Sequence, residues 1–214
     1  LNQSNISSIG TSQITFDSGY HNVSIVATDN VGNIRSSIIY SKVDLATPSI
    51  LCTVNPNSWS SSMPIVQYSV SNNGSLSNVV VSALFNGNPL IPSNGSIVLP
   101  QSFDGVYNLA ITVANQGGNY ETCLLDIYLD STAPAFTSIP NVDDVVSSNN
   151  LELNLTVIDI HSGLSNVEVL VDGIQYVSDS TNFNSHSLNL SVLSQGTHEI
   201  VIKVLDNAGN VNLW

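Results

Sequence analysis

Basic residues are nearly missing from this sequence. Its 214 residues include three lysines and arginines against sixteen acidic residues, for a formal net charge of -13. A field of this sign repels phosphate backbones and anionic lipid headgroups, which argues against nucleic-acid binding. Lateral contacts between copies cannot rely on salt bridges and would need metal ions, glycans or strand pairing.

Long apolar runs and helix-forming stretches are also scarce. No stretch approaches the roughly 20 apolar residues of a membrane-spanning helix, so we expect no membrane insertion in this segment. Hydrophobic residues make up 42% of the sequence and charged residues 9%, and Ser, Asn, Val, Ile and Leu dominate. This composition favours a β-rich fold with a neutral, hydrogen-bonding surface.

Catalytic and zinc-binding motifs are missing as well. The sequence has no CxxC pair, nucleophile elbow or phosphate loop. Asp159, His161 and Ser162 lie within four residues on one predicted turn, whereas a catalytic triad needs groups from separate elements. The other histidines are scattered, at His21, His186 and His198. We therefore predict no catalytic residues and no enzymatic activity.

One passage occurs three times, as Phe16–Asn33, Phe103–Asn119 and Leu193–Asn210. Each copy has a Gly-containing turn, a strand-like alternation of apolar and polar residues, and a turn that ends in Gly-Asn. The closing asparagines lie 86 and 91 residues apart, and the junctions Ala46-Thr-Pro48 and Thr132-Ala-Pro134 recur at the same period of 86. A period near 90 is the size of a small β-sandwich, so the pattern predicts an array of similar domains.

The repeats divide the chain into three predicted domains. We interpret residues 1–46 as the C-terminal half of a domain, 47–132 as a complete domain, and 133–214 as a domain that lacks most of its last strand. A half sandwich buries little surface, so we expect a fragment of a longer polypeptide, with strand donation by a neighbouring molecule as the alternative. Strands are predicted near 12–16, 20–28, 34–43, 49–54, 64–71, 77–85, 95–99, 106–114, 120–129, 135–138, 150–158, 165–171, 174–177, 185–192 and 197–205.

The passages Ile158–Leu164, Asp130–Pro134 and Asp206–Asn210 resemble the tandem immunoglobulin-like repeats of bacterial and archaeal surface proteins, including bacterial Ig-like and hyalin-repeat-like domains. The resemblance covers nearly the whole chain. It implies an all-β fold of tandem immunoglobulin-like β-sandwich domains and an extracellular or cell-surface location. Such repeats serve in adhesins, S-layer proteins, stalks and spacers, so the fold does not fix the function.

The two cysteines, Cys52 and Cys123, lie on the predicted first and last strands of the complete domain. A sparse, even number of cysteines in a polar, secreted-looking chain favours a disulfide between them. Two buried thiols are the alternative.

The best metal candidate is a calcium site, because hard cations prefer several oxygen ligands. We expect the carboxylates of the third domain to converge at one of its ends, near junction residues of a preceding domain. The second domain has Ser71 and Asn115 at the matching positions and would lose both carboxylates. Capping of turns by aspartate is the alternative. The candidates are Asp159, Asp206, Asp29 and Asp130.

Seven Asn-x-Ser/Thr sequons make glycans candidate partners, with chance occurrence in an Asn- and Ser-rich chain as the alternative. For an archaeal or eukaryotic source, Asn73 and Asn94 are the best candidates because both lie in Asn-Gly turns, whose tips are accessible. The other sequons begin at Asn2, Asn5, Asn22, Asn154 and Asn189.

Three hypotheses for the function remain. The leading one is a non-catalytic structural protein, a subunit or segment of a prokaryotic surface layer or filament whose partners are copies of itself. The second is an adhesin stalk or recognition module, which predicts monomers that do not assemble. The third makes these domains accessory spacers of a secreted enzyme and requires a catalytic domain outside this segment.

Overall fold

The computed structural model describes residues 13–74, 78–138, 151–179, 186–190 and 193–214. Every regular element in these residues is a β-strand. The first repeat contains β1 (Gly19–Thr28) and β2 (Ile34–Val43). The second contains β3 (Ser49–Asn55), β4 (Ile65–Ser71), β5 (Val79–Phe85), β6 (Asn88–Leu90), β7 (Ser96–Ile97), β8 (Gly105–Asn115) and β9 (Tyr120–Leu129). The third contains β10 (Ala135–Ser138), β11 (Leu151–Ile158), β12 (Leu164–Val171), β13 (Ile174–Asp179), β14 (His186–Leu190), β15 (Ile200–Asp206) and β16 (Val211–Leu213).

The second and third repeats have the same strand arrangement in two sheets. The sheets of the second repeat run β3-β4-β7 and β6-β5-β8-β9, and those of the third run β10-β11-β14 and β13-β12-β15-β16. Their hairpins turn at Asn86-Gly87 and Asp172-Gly173, where all four residues have positive φ. Asn, Asp and Gly tolerate that conformation, which explains why these turns form here. The all-β fold predicted from the sequence is confirmed.

The third repeat buries alternate residues of its strands in one core. Period-two patterning places one face of each strand inward, as expected for a sandwich. The fully or nearly fully buried side chains of this core are Leu153, Leu155, Val157, Val167, Val169, Val171, Leu190, Ile202 and Val204.

The first repeat consists of a single hairpin within its described residues. β1 and β2 pair in antiparallel register from Gly19↔Val43 to Thr28↔Ile34. Ile25 occupies the place in the repeated passage that Ile111 and Ile202 occupy in the later copies. Its residue surface is 53% exposed, whereas Ile111 and Ile202 are fully buried. The sequence pattern of a core strand is therefore present here without a described second sheet.

The chain folds into two compact units that do not coincide with the repeats. The first unit takes the chain up to Leu51 together with Val70–Val81 and Thr112–Thr122. The second unit takes Cys52–Ser69, Ser82–Ile111 and Cys123–Trp214. The hairpin of the first repeat thus shares its unit with strand ends of the second repeat.

Some predicted strands differ from the structure. The strand near 12–16 is wrong over its described residues 13–16, which have no strand conformation. β6 was not among the predicted strands, because it has only three residues and contains Pro89. β15 begins at Ile200 rather than near 197. Parts of the strands predicted at 77–85, 150–158 and 185–192 lie outside the described residues.

Candidate metal centre

A five-residue turn closes each of the three repeated passages. In the third copy the Asp206 carboxylate accepts hydrogen bonds from the backbone amides of Ala208 (2.9 Å) and Asn210 (2.8 Å) and from the Asn210 side chain (2.7 Å). In the first copy Asp29 accepts the corresponding bonds from Val31 and Asn33. These aspartates therefore cap their own turns, whatever else they bind.

The linker Asp130–Pro134, which we call the second junction, is bound by the third repeat. The Asn210 side-chain amide donates to the Asp130 carbonyl (2.7 Å), and the Asn212 side-chain amide donates to the Pro134 carbonyl (2.8 Å). The backbone amide of Ser162 donates to the Asp130 carboxylate (3.0 Å). Asp130 is completely buried.

Three carboxylates meet at this junction. One oxygen from each of Asp130, Asp159 and Asp206 lies within 4.8 Å of the other two. Asp130 and Asp206 are buried, and Asp159 is half-buried at the end of β11. Buried charges of one sign are costly unless a partner neutralises them. A cation that prefers oxygen ligands would meet this need, and the donor set fits calcium.

Two further observations agree with a cation at this place. Among the described residues, the ion pairs of the third repeat join Lys203 to Glu168 (3.3 Å) and His198 to Asp172 (2.8 Å), and neither neutralises the three carboxylates. The Ser162 hydroxyl is buried without a hydrogen-bond partner in the described structure. Buried hydroxyls are normally satisfied, and the backbone amide of the same residue binds the Asp130 carboxylate, so the unpaired hydroxyl fits an additional ligand near this junction.

Asp29 is not part of this group. Its hydrogen bonds run within its own turn, and those from Asn33, first from its side chain and then from its backbone, lower the pKa of the carboxyl below the ordinary value of 3.8. Asp29 occupies the place of Asp206 in the repeated passage. The structure thus brings together three of the four predicted residues.

Asp104 is a junction residue that the sequence analysis missed. Its carboxylate accepts hydrogen bonds from the Ser131 backbone amide (2.7 Å), the Ser131 hydroxyl (2.8 Å) and the Thr132 hydroxyl. Burial opposes ionisation of Asp104, but these bonds and the nearby His161 outweigh it and lower the pKa of the carboxyl. Asp104 lies 86 residues after Ser18, whose hydroxyl accepts a bond from Leu45 (3.0 Å) at the first linker. Because 86 residues is the repeat period, this spacing could have identified Asp104 as a junction residue from the sequence.

A serine, a histidine and an aspartate also meet in the third repeat. His198 Nδ1 lies 2.8 Å from Asp172 Oδ2, and Nε2 lies 3.4 Å from Ser194 Oγ but 2.9 Å from the Ser194 carbonyl. The closer partner of Nε2 is therefore a carbonyl, which only accepts hydrogen bonds. While Nε2 donates to that carbonyl, it cannot accept a proton from the Ser194 hydroxyl. His198 is therefore not arranged to act as the general base for a serine nucleophile.

The other repeats support a structural role for this ring. His21 Nε2 lies 2.8 Å from the Asp17 carbonyl, and the Tyr107 hydroxyl donates to the Phe103 carbonyl. Each ring binds the carbonyl four residues earlier, in the manner of a tyrosine corner. Because a tyrosine makes the same contact in the second repeat, this contact does not require a side chain that transfers protons.

The His198–Asp172 pair predicts a pH dependence. The hydrogen bond to Asp172 and then that to the Ser194 carbonyl raise the pKa of His198 above its ordinary value of 6.5. A raised pKa in the folded state stabilises the fold fully below about pH 6.5, and this contribution is lost as pH rises through the folded pKa. We expect Asp172→Asn to return the His198 pKa toward 6.5, as followed by NMR titration of the imidazole. Asn86 occupies the same turn position in the second repeat, so the variant should fold, and an unchanged pKa would contradict the pairing.

The other predicted sites are also located by the structure. Cys52 on β3 and Cys123 on β9 form a disulfide with a Cα–Cα distance of 6.3 Å. Asn22, Asn94 and Asn154 are exposed, and Asn73 is exposed while its side-chain amide donates to the Thr47 carbonyl (3.1 Å). The Asn189 side chain and the sequons at Asn2 and Asn5 lie outside the described residues. Among the described residues, no helix of the length and hydrophobicity needed to cross a membrane occurs.

Residues 136–202 match the family model of a bacterial Ig domain. Over these residues the third repeat is similar to a bacterial immunoglobulin-like domain. The match confirms the resemblance inferred from the sequence and agrees with the two-sheet arrangement of the second and third repeats. Bacterial immunoglobulin-like domains and a disulfide are both typical of cell-surface or extracellular proteins.

Several solved structures are similar to this chain of immunoglobulin-like repeats. Fibronectin(III)-like modules of Clostridium thermocellum CbhA share 17% identity over 76% of this chain and 91% of theirs, with a TM-score of 0.43. A tetra-tandem repeat from the extending region of a large adhesion protein shares 19% identity over 91% of this chain and 55% of its own, with a TM-score of 0.40. A solved chain from a study of a 1.5-MDa bacterial ice-binding adhesin shares 18% identity over 91% of this chain and 71% of that solved chain, with a TM-score of 0.34. A comparison with curated proteins finds no match.

Proposed function

We propose that this chain is a non-catalytic structural segment of a bacterial cell-surface protein, and that copies of it assemble in a surface layer or filament. The observation that carries the structural role is a contact repeated at both linkers. The Asn119 amide donates to the Asp44 carbonyl and the Asn210 amide to the Asp130 carbonyl, each at 2.7 Å. A linker whose backbone is bound at successive repeats is suited to holding domains in a fixed connection.

Calcium is the proposed ligand of the second junction. Asp130, Asp159 and Asp206 would hold the ion, which would neutralise their charges and tie the linker to the third repeat. The scarcity of basic residues supports this assignment, since only three lysines and arginines are available to the whole chain. Divalent cations would also offset the net charge of -13 when copies pack side by side.

An adhesin stalk is the second candidate. One observation favours it: the contacts of both linkers are made within a single chain, so they need no second copy. In this case the segment would act as a spacer, and the ligand-binding part would lie elsewhere in the protein.

Analytical sizing and electron microscopy, with calcium and then with chelator, test the proposal. We expect ordered sheets or filaments in calcium that dissolve on chelation, and magnesium alone should not restore them. The Asp159→Ser variant carries the residue found at the matching position of the second repeat. It should behave in calcium as the wild type behaves in chelator. Monomers under every condition would contradict self-assembly and favour the stalk.

A further inference from the structure

The two linkers are built on one plan but differ in charge. The first junction, Asp44–Pro48, lies wholly in the first unit with the side chains that bind it, and the second junction lies wholly in the second unit. At four equivalent positions the first junction has one carboxylate and the second has four. The residues are Ser18, Asp44, Ser71 and Asn115 at the first junction, and Asp104, Asp130, Asp159 and Asp206 at the second.

Amide donors hold the first junction. The Asn115 side-chain amide donates to the Ala46 carbonyl (2.7 Å) while its oxygen accepts a bond from the Asn119 backbone (3.0 Å). The Asn73 side-chain amide donates to the Thr47 carbonyl (3.1 Å). Because neutral amides both donate and accept, three carbonyls of this junction, those of Asp44, Ala46 and Thr47, are bound by side-chain amides without an ion.

The second junction lacks the equivalent donor. Asp206 stands in place of Asn115, and an ionised carboxylate can only accept hydrogen bonds. Thr132, the counterpart of Ala46, receives at its carbonyl a longer contact of 3.4 Å from the Asn210 amide. An independent sign of a ligand near this junction is Ser162, whose backbone amide binds the Asp130 carboxylate while its buried hydroxyl has no hydrogen-bond partner.

We infer that the two junctions are held by different means: the Asn115 amide takes the place of a cation at the first, so calcium controls the second junction alone. This inference rests on the proposed calcium site. Within the same chain, the first linker would be held in place at every calcium concentration, and the second would be held only when calcium is bound.

Calorimetric titration with calcium and hydrogen exchange test this difference in the whole chain. We expect one bound calcium ion per chain. Calcium should slow exchange in 130–134 and 206–210 and leave 44–48 and 115–119 unchanged. One bound ion with equal slowing at both junctions would overturn the inference and leave the proposed site intact. No calcium binding would overturn the proposed site together with the inference.

Two variants exchange the properties of the junctions. Ser71→Asp combined with Asn115→Asp should raise the calcium stoichiometry from one to two and make exchange at 115–119 depend on calcium. Asp206→Asn should abolish binding of the native ion, yet keep 206–210 protected in chelator, because the new amide can donate to the Thr132 carbonyl. A stoichiometry that stays at one in the folded double variant, or loss of protection in Asp206→Asn, would overturn the inference.

Discussion

Reduction of the Cys52–Cys123 disulfide is expected to lower the free energy of unfolding of the second repeat by about 4 kcal/mol. The bridge joins residues 71 apart in sequence and links β3 of one sheet to β9 of the other. A cross-link of this span removes many conformations from the unfolded chain, and the loss of that restraint favours unfolding. Denaturant titration with and without reductant measures the effect.

The two tryptophans allow this loss to be assigned to one repeat. Trp59 lies in the second repeat, with its ring centroid 5.5 Å from that of Tyr128, whereas Trp214 packs against the core of the third repeat. We expect reductant to shift the transition seen through Trp59 and to leave that seen through Trp214 unchanged. Cys52→Ser with Cys123→Ser should reproduce the reduced protein. A shift below about 1 kcal/mol would contradict a bridge that constrains the unfolded chain.

Strand positions could be predicted where alternation and turn chemistry agree. β9 and β10 have the predicted bounds of 120–129 and 135–138, since Gly-Asn and Pro residues mark their starts. The late start of β15 could not be predicted. Asp172 accepts the Glu199 backbone amide and pairs with His198, which holds this stretch in a turn contact before the strand begins. Such long-range contacts override local pattern.

Only part of the candidate site could be predicted from the sequence. The repeat comparison identified Asp159 and Asp206 as positions where the second domain has neutral residues, and the structure brings them to Asp130. It did not reveal that Asn119 binds the Asp44 carbonyl or that Asp104 binds the second linker. A backbone carbonyl is present at every residue, so the Asn119 contact leaves no mark on the identity of the residue that supplies the carbonyl.

Ile202→Ala is expected to destabilise the third repeat by about 2 to 5 kcal/mol, because Ile202 is fully buried among the core residues of β11, β12 and β15. Ile25→Ala is the matched control, since Ile25 has the same place in the repeated passage but is 53% exposed. For this variant we expect a loss below about 1 kcal/mol. Denaturant titration, followed through Trp214 for Ile202→Ala and by circular dichroism for Ile25→Ala, measures both.

Comparing Ile202→Ala with Ile25→Ala tests the contribution of core packing and not that of intrinsic strand propensity. Both substitutions replace a β-branched residue in a strand, so their difference isolates burial from the intrinsic preference for strand. Ile111→Ala, at the fully buried counterpart in the second repeat, should resemble Ile202→Ala in the transition seen through Trp59. A large loss at Ile25 would mean that its face of the β1–β2 hairpin is covered in solution. The cost at that position then measures how well the covering surface packs.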